Sequence, residues 1–222
     1  MTRRQSKLAR RAALNGSGPV PHETAPPRWP GAVSTFALLG EVLLTGILVT
    51  AGSLLIVTIP AALAAGIRHL RRFLEGKDSR AGSFWRDLLA ALPGGLAVGA
   101  AALVPAVVLL LNIRLASTGA LPGGDLIGPA SWGVLAFLVL FTAAMAGQWT
   151  PDAGWRPTLR LSLRTLTIDP GGTPYVFAAV VFAGIVTWQL VPLIVPALGC
   201  VVLAVVAAPE RRRRGAGDGI TD

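Results

Sequence analysis

Charge is what this chain has least of. Only 14% of its 222 residues are Asp, Glu, Lys or Arg, against about 25% in a soluble domain. With 53% hydrophobic residues and a mean hydropathy of +0.62, too few charges remain to cover a water-soluble surface. Cysteine is nearly missing. Cys200 stands alone in an apolar run, which excludes an intrachain disulfide and a Cys-based metal site. Histidine is limited to His22 and His69, so a histidine metal centre is not expected. Lysine is limited to Lys7 and Lys77, and the other 18 basic residues are Arg. With the abundant Ala, Gly and Pro, this composition suggests a GC-rich bacterial genome.

Catalytic signatures are missing too. There is no HExxH, no GxSxG, no P-loop and no pair of acids within an apolar run. The Pro-Gly-Gly turns are not followed by Gly-Lys-Ser/Thr, so they are not phosphate cradles. The expectation is a protein that is not an enzyme and holds no cofactor. Alternating segments of about ten residues, the mark of a transmembrane barrel, are also lacking. The net charge of +9 does not indicate nucleic-acid binding, because the basic residues lie almost entirely between the apolar runs.

Those runs are what the sequence has in excess. Several reach the ~20 residues needed to cross a bilayer core of about 30 Å. The first spans residues 32–67, 36 residues, or roughly 54 Å as one helix, nearly twice the core. The basic residues per polar segment, from N- to C-terminus, are 6, 6, 1, 3 and 4. Only the single-Arg segment, residues 114–130, reads as external. Both flanks of the first run therefore belong on the cytoplasmic side. A hairpin turning near Ala51–Gly52–Ser53 satisfies this, with helices over 33–51 and 54–72; the alternative is one crossing followed by a surface helix. The second helix has few apolar residues before Arg68, so Arg68, Arg71 and Arg72 must snorkel.

Further along, Phe84, Trp85, Leu88, Leu89 and Leu92 form an amphipathic stripe suited to the headgroup level, ended by Pro93-Gly94-Gly95. Crossings over 95–113, containing Pro105, and over 132–149 follow. A cytoplasmic segment, 150–173, places Leu159, Leu163 and Leu166 on one helical face and Arg160 and Arg164 on another. Residues 173–209 carry no charge and again have double length, with a split around Leu190–Pro192 giving helices 174–190 and 193–208. The predicted fold is all-α: a polytopic helical membrane bundle, six crossings favoured and five the alternative, with short interfacial amphipathic helices on the cytoplasmic side. Residues 1–31 read as a disordered basic cytoplasmic tail rather than a signal peptide, 32–208 as the transmembrane domain, and 209–222 as a basic cytoplasmic C-terminal tail.

Ile56-Val57-Thr58-Ile59, the small residues Ala61, Ala62, Ala64 and Ala65, the basic turn Arg71-Arg72 and the pair Phe84-Trp85 occur in that order. In this the chain resembles the YesL family of bacterial multi-pass membrane proteins over roughly residues 33–208. Leu55 stands where that family favours Pro, and Pro60 where it favours Gly. The resemblance implies a location in the cytoplasmic membrane. It also implies an accessory or assembly role beside a carbohydrate transport system, with subunits of a carbohydrate ABC importer as partners besides the lipid bilayer.

Three groups of residues stand out. Glu41 is the one acid inside a predicted crossing, where charge is expensive and marks function by default. It carries the alternative reading, a small proton- or cation-coupled transporter or channel. Thr58, Ala62 and Gly66 repeat at i, i+4, i+8, and Gly95 and Gly99 form a GxxxG; both patterns permit close helix packing. Arg68, Arg71, Arg72 and Arg86 suit headgroup contact or the docking of a cytoplasmic partner.

Overall fold

Apolar runs in lipid or in a protein core must satisfy their backbone locally, and here they do so as helix. The computed structural model describes residues 35–119, 122–168, 173–189 and 191–217. The tail expected over residues 1–31 lies outside them. Among the described residues there is no strand, and the helices are α1 (Thr35–Gly52), α2 (Ile59–Leu74), α3 (Ala81–Ser117), α4 (Gly124–Gln148), α5 (Trp155–Ile168), α6 (Thr173–Gln189) and α7 (Ile194–Gly217). Short 3-10 turns at Ile56–Thr58 and Val191–Leu193 precede α2 and α7. Three helices, α1, α3 and α4, are long and apolar enough to cross a membrane.

The first double-length run folds back on itself. Gly52 packs against Ala62, Gly66 against Val49 and Thr45, and Glu41 lies beside His69, so α1 and α2 are antiparallel. The reversal spans Ser53–Thr58. Thr58 Oγ1 sits 2.7 Å from the Gly52 carbonyl and 2.6 Å from the Leu55 carbonyl, so its one proton serves the turn. α7 runs back along α1, and Gly46 and Gly199 make that approach possible. A side chain on Gly46 would meet the Val195 carbonyl, and one on Gly199 the Val42 carbonyl.

Three expectations need correction. Pro93-Gly94-Gly95 does not end a helix: α3 continues through Pro93 and Pro105 for 37 residues. A proline loses its own N–H and crowds the carbonyl four residues back, a cost that packing against neighbouring helices can absorb; the two glycines serve packing, Gly94 against the Trp155 ring and Gly95 against Ala61 and Trp155. The segment 114–130 is mostly helical, since α4 starts at Gly124 after a left-handed Gly123 (φ 76°) and carries Pro129 inside. Finally, α7 does not stop at residue 208. It runs on to Gly217, through most of the segment expected to be a tail.

The leucine faces are also corrected. On α3 the buried residues include Phe84, Asp87, Leu88 and Ala91, while Trp85 and Leu89 point outward. On α5 the buried face is Trp155, Thr158 and Ser162, and Leu159 and Leu161 are exposed; the side chains of Leu163 and Leu166 lie outside the described set. The outward face of α5 also carries Arg156 and Arg160, so leucine and arginine share the exposed side.

Candidate functional site

The charged residues of the described helices that pair with one another, Glu41 with His69 and Asp87 with Arg68 and Arg72, gather at one end of the bundle. α2 ends in IRHLRRFL, which places Arg68 and Arg72 at i, i+4 on one face and His69 on another. α3 begins antiparallel to it and presents Asp87. The carboxylate Oδ2 of Asp87 accepts from Arg68 Nε at 3.3 Å and lies 2.6 Å from Arg72 Nη2 as an ion pair. The Asp87 side chain is 7% exposed, and its two partners, Arg68 and Arg72, 27% and 21%. A carboxylate so buried is stable in ionised form only when paired.

Arg68 also lies over the indole of Trp149, 5.8 Å from the ring centroid, a cation–π distance. Trp149 follows α4 directly and tilts against Trp155 of α5 at 6.0 Å. The Trp155 Nε1–H in turn donates to the Ala91 carbonyl of α3 at 2.9 Å. Gly94 and Gly95, one turn further on, leave the room that the indole occupies. The layer thus links α2, α3, α4 and α5 by polar contacts.

On the other face of α2, His69 is fully buried. Its Nε2 lies 2.9 Å from Glu41 Oε1, within ion-pair range although not aligned as a hydrogen bond. The ring meets Phe84 edge-on at 6.3 Å. Among the described residues His69 Nδ1 and Arg72 Nη1 find no hydrogen-bond partner. Glu41 is in the second turn of α1, so it sits at the level of the basic cluster.

The four arginines singled out in the sequence have separate settings. Arg68 and Arg72 are engaged by Asp87, Arg71 is half-buried, and Arg86 is exposed. Of the packing residues, Thr58 closes the turn, Ala62 and Gly66 meet α1, Gly95 meets Ala61 of α2, and Gly99 meets the Val57 carbonyl. Sequence reasoning missed Asp87, His69 as the partner of Glu41, and the pair Gly46 and Gly199. Asp87 was recoverable, being the one acid in an aromatic-apolar segment that follows a basic one. No group of three His, Cys, Asp or Glu side chains comes together among the described residues.

A second feature lies further from this end. An apolar cavity of ≈ 610 Å³ is lined by Ile59, Leu63, Gly99, Leu138, Gly184 and Ile194, among others. It sits where the turns of the α1–α2 and α6–α7 hairpins approach the middle of α3 and α4. No family model, curated protein or solved structure matches the chain.

Proposed function

We propose that this chain is a multi-pass protein of the bacterial cytoplasmic membrane, entering the apolar layer six times with both termini cytoplasmic. Within that membrane it acts as an accessory or assembly component of a transport system, in keeping with its YesL-like residues and with a carbohydrate importer as the partner. One observation carries the reading most: the ionic layer lies at a single end, and most of the remaining described helical surface is apolar. A protein so built offers a partner one polar face, and of Arg68, Arg71, Arg72 and Arg86 the last is the exposed one. Arg68 and Arg72 are already neutralised by Asp87.

The test is purification of the tagged native protein in mild detergent with identification of what accompanies it. Permease or ATPase subunits of a sugar importer are expected, and Arg86→Ala should lower their recovery without lowering thermal stability. A homogeneous species with no partner sinks the accessory role.

The buried Glu41–His69 pair favours a second reading, a proton-coupled transporter. On that reading Glu41→Gln abolishes flux in reconstituted vesicles while the folded protein persists; equal loss of folded protein assigns the pair to structure.

A further inference from the structure

We infer that the α1–α2 and α6–α7 hairpins are re-entrant: each enters the bilayer from the basic face, turns near its middle and returns, so that α3 and α4 alone reach the far face. The inference rests on the membrane orientation proposed above and refines its six passes.

Depth can be counted from the ionic layer along three helices independently. Ser53 at the first turn is 12 residues beyond Glu41; α1 is long enough as a whole to cross, but its first six residues, Thr35–Gly40, lie on the other side of that level. Val57, at the same turn, is 12 residues before His69. Gly99, which packs on the Val57 carbonyl, is 12 residues beyond Asp87. At 1.5 Å per residue, all three counts place the turn about 18 Å from the layer. The core of the bilayer is about 30 Å thick. From Gly99, α3 continues for 18 more residues to Ser117, roughly 27 Å. The turn therefore lies near the middle of the apolar length of α3.

The second hairpin turns at a shallower level. Val195 packs on Gly46, five residues beyond Glu41 and so about 8 Å from the layer. The turn at Val191–Leu193 lies two to four residues further on, about 11–14 Å from the layer. α2 itself has nine residues, Ile59–Ile67, before Arg68. That is about 13 Å, which no snorkelling extends to a full crossing.

The chemistry of the first turn agrees. Loops that emerge into water favour Gly, Pro, Asn, Asp and Ser. Here the exposed tip is Leu54, Leu55 and Ile56, at 82%, 66% and 64% exposure. Irregular backbone at membrane depth persists where it packs on protein or borders a cavity and has its polar groups satisfied. This turn packs on protein and satisfies part of its own backbone, while the buried Ser53 hydroxyl finds no partner among the described residues. Thr58 N and Oγ1 reach the Leu55 carbonyl, the Thr58 hydroxyl also reaches Gly52, and Ile59 N–H donates to Ile56. Val57 packs on α3, while Ile56 and Ile59 border the ≈ 610 Å³ cavity.

The test uses the full chain carrying Cys200→Ser and one new cysteine, Leu55→Cys at the tip or Thr118→Cys between α3 and α4. Both positions are exposed, so folding is checked by an unchanged thermal midpoint. On intact cells, an impermeant maleimide should label the Thr118→Cys variant and leave Leu55→Cys at background. In vesicles of phosphatidylethanolamine and phosphatidylglycerol, a nitroxide on Leu55→Cys should relax strongly with oxygen and weakly with an aqueous nickel chelate, the reverse of position 118. Outside labelling of Leu55→Cys at the rate of Thr118→Cys, or nickel accessibility equal to that of position 118, overturns the inference. Labelling of Thr118→Cys only after permeabilisation overturns the orientation instead; the nitroxide depth then still decides re-entrance, because it does not depend on which face is outside.

Discussion

Between its start and Gly99, α3 buries Phe84, Asp87, Leu88, Ala91, Gly95 and Gly99 against the bundle. From residue 100 to its end at Ser117, the same helix has no buried residue. α4 mirrors it, with Ser131 as the one buried residue between Gly124 and Thr142, and then Ala143, Met145, Ala146, Gly147 and Trp149 near the ionic layer. The two halves are alike in their apolar character. They differ in what surrounds them: the near half is packed among the hairpins and pinned by charge, while the far half is α3 and α4 side by side. Apolar sequence therefore does not distinguish side chains that hold the fold from those that face lipid. Charge placement and close glycine contacts do.

The largest effect should come from removing the centre of the near half. Asp87→Ala leaves Arg68 and Arg72 without their shared carboxylate. Breaking a buried pair from one side destabilises by about 3–5 kcal/mol; the partly exposed arginines reach water and place this case at the lower end. The readout is the thermal midpoint in mild detergent. An unchanged midpoint would mean that the ionic layer does not hold the near half, and the comparison would fail at its strongest point.

Much of this was legible beforehand, and the remainder was hidden for physical reasons. Doubled apolar length with basic flanks favours a reversal near Gly52 over one crossing with a surface helix, because the positive-inside bias puts both flanks on one side. The turn's depth was not legible, since hydropathy counts residues and carries no reference level; that came from Asp87, His69 and Glu41 lying in one layer. Pro93-Gly94-Gly95 has the same composition whether it ends a helix or admits the Trp155 ring. The exposed face of α5 mixes Leu159 and Leu161 with Arg156 and Arg160, so spacing alone did not tell which face turns inward.

A middle-sized effect compares two glycines. A methyl at Gly99 would collide with the Val57 carbonyl, whereas nothing lies within 4 Å of the corresponding position at Gly133 in the far half. Overpacking against backbone destabilises by about 1–3 kcal/mol, so Gly99→Ala should lower the midpoint. Gly133→Ala should leave it level or raise it, because alanine is favoured over glycine within a helix by about 1 kcal/mol. Equal losses at both positions would show that the two halves are packed alike.

The smallest effect is the most informative about the far half. Leu111 is 56% exposed on α3, beyond the reach of either hairpin. In a soluble protein its truncation would remove apolar burial, but in a membrane the side chain meets lipid tails in both the folded and the dissociated-helix states. Lipid tails are as apolar as leucine, so little driving force is lost. Leu111→Ala should therefore shift stability by no more than about 0.5 kcal/mol, the range of a surface substitution. Leu70→Ala, at a fully buried site of the near half, should lose about 2–5 kcal/mol. A loss at Leu111 approaching that of Leu70 would mean that protein, not lipid, covers the far half of α3, and that the isolated chain is an incomplete assembly there.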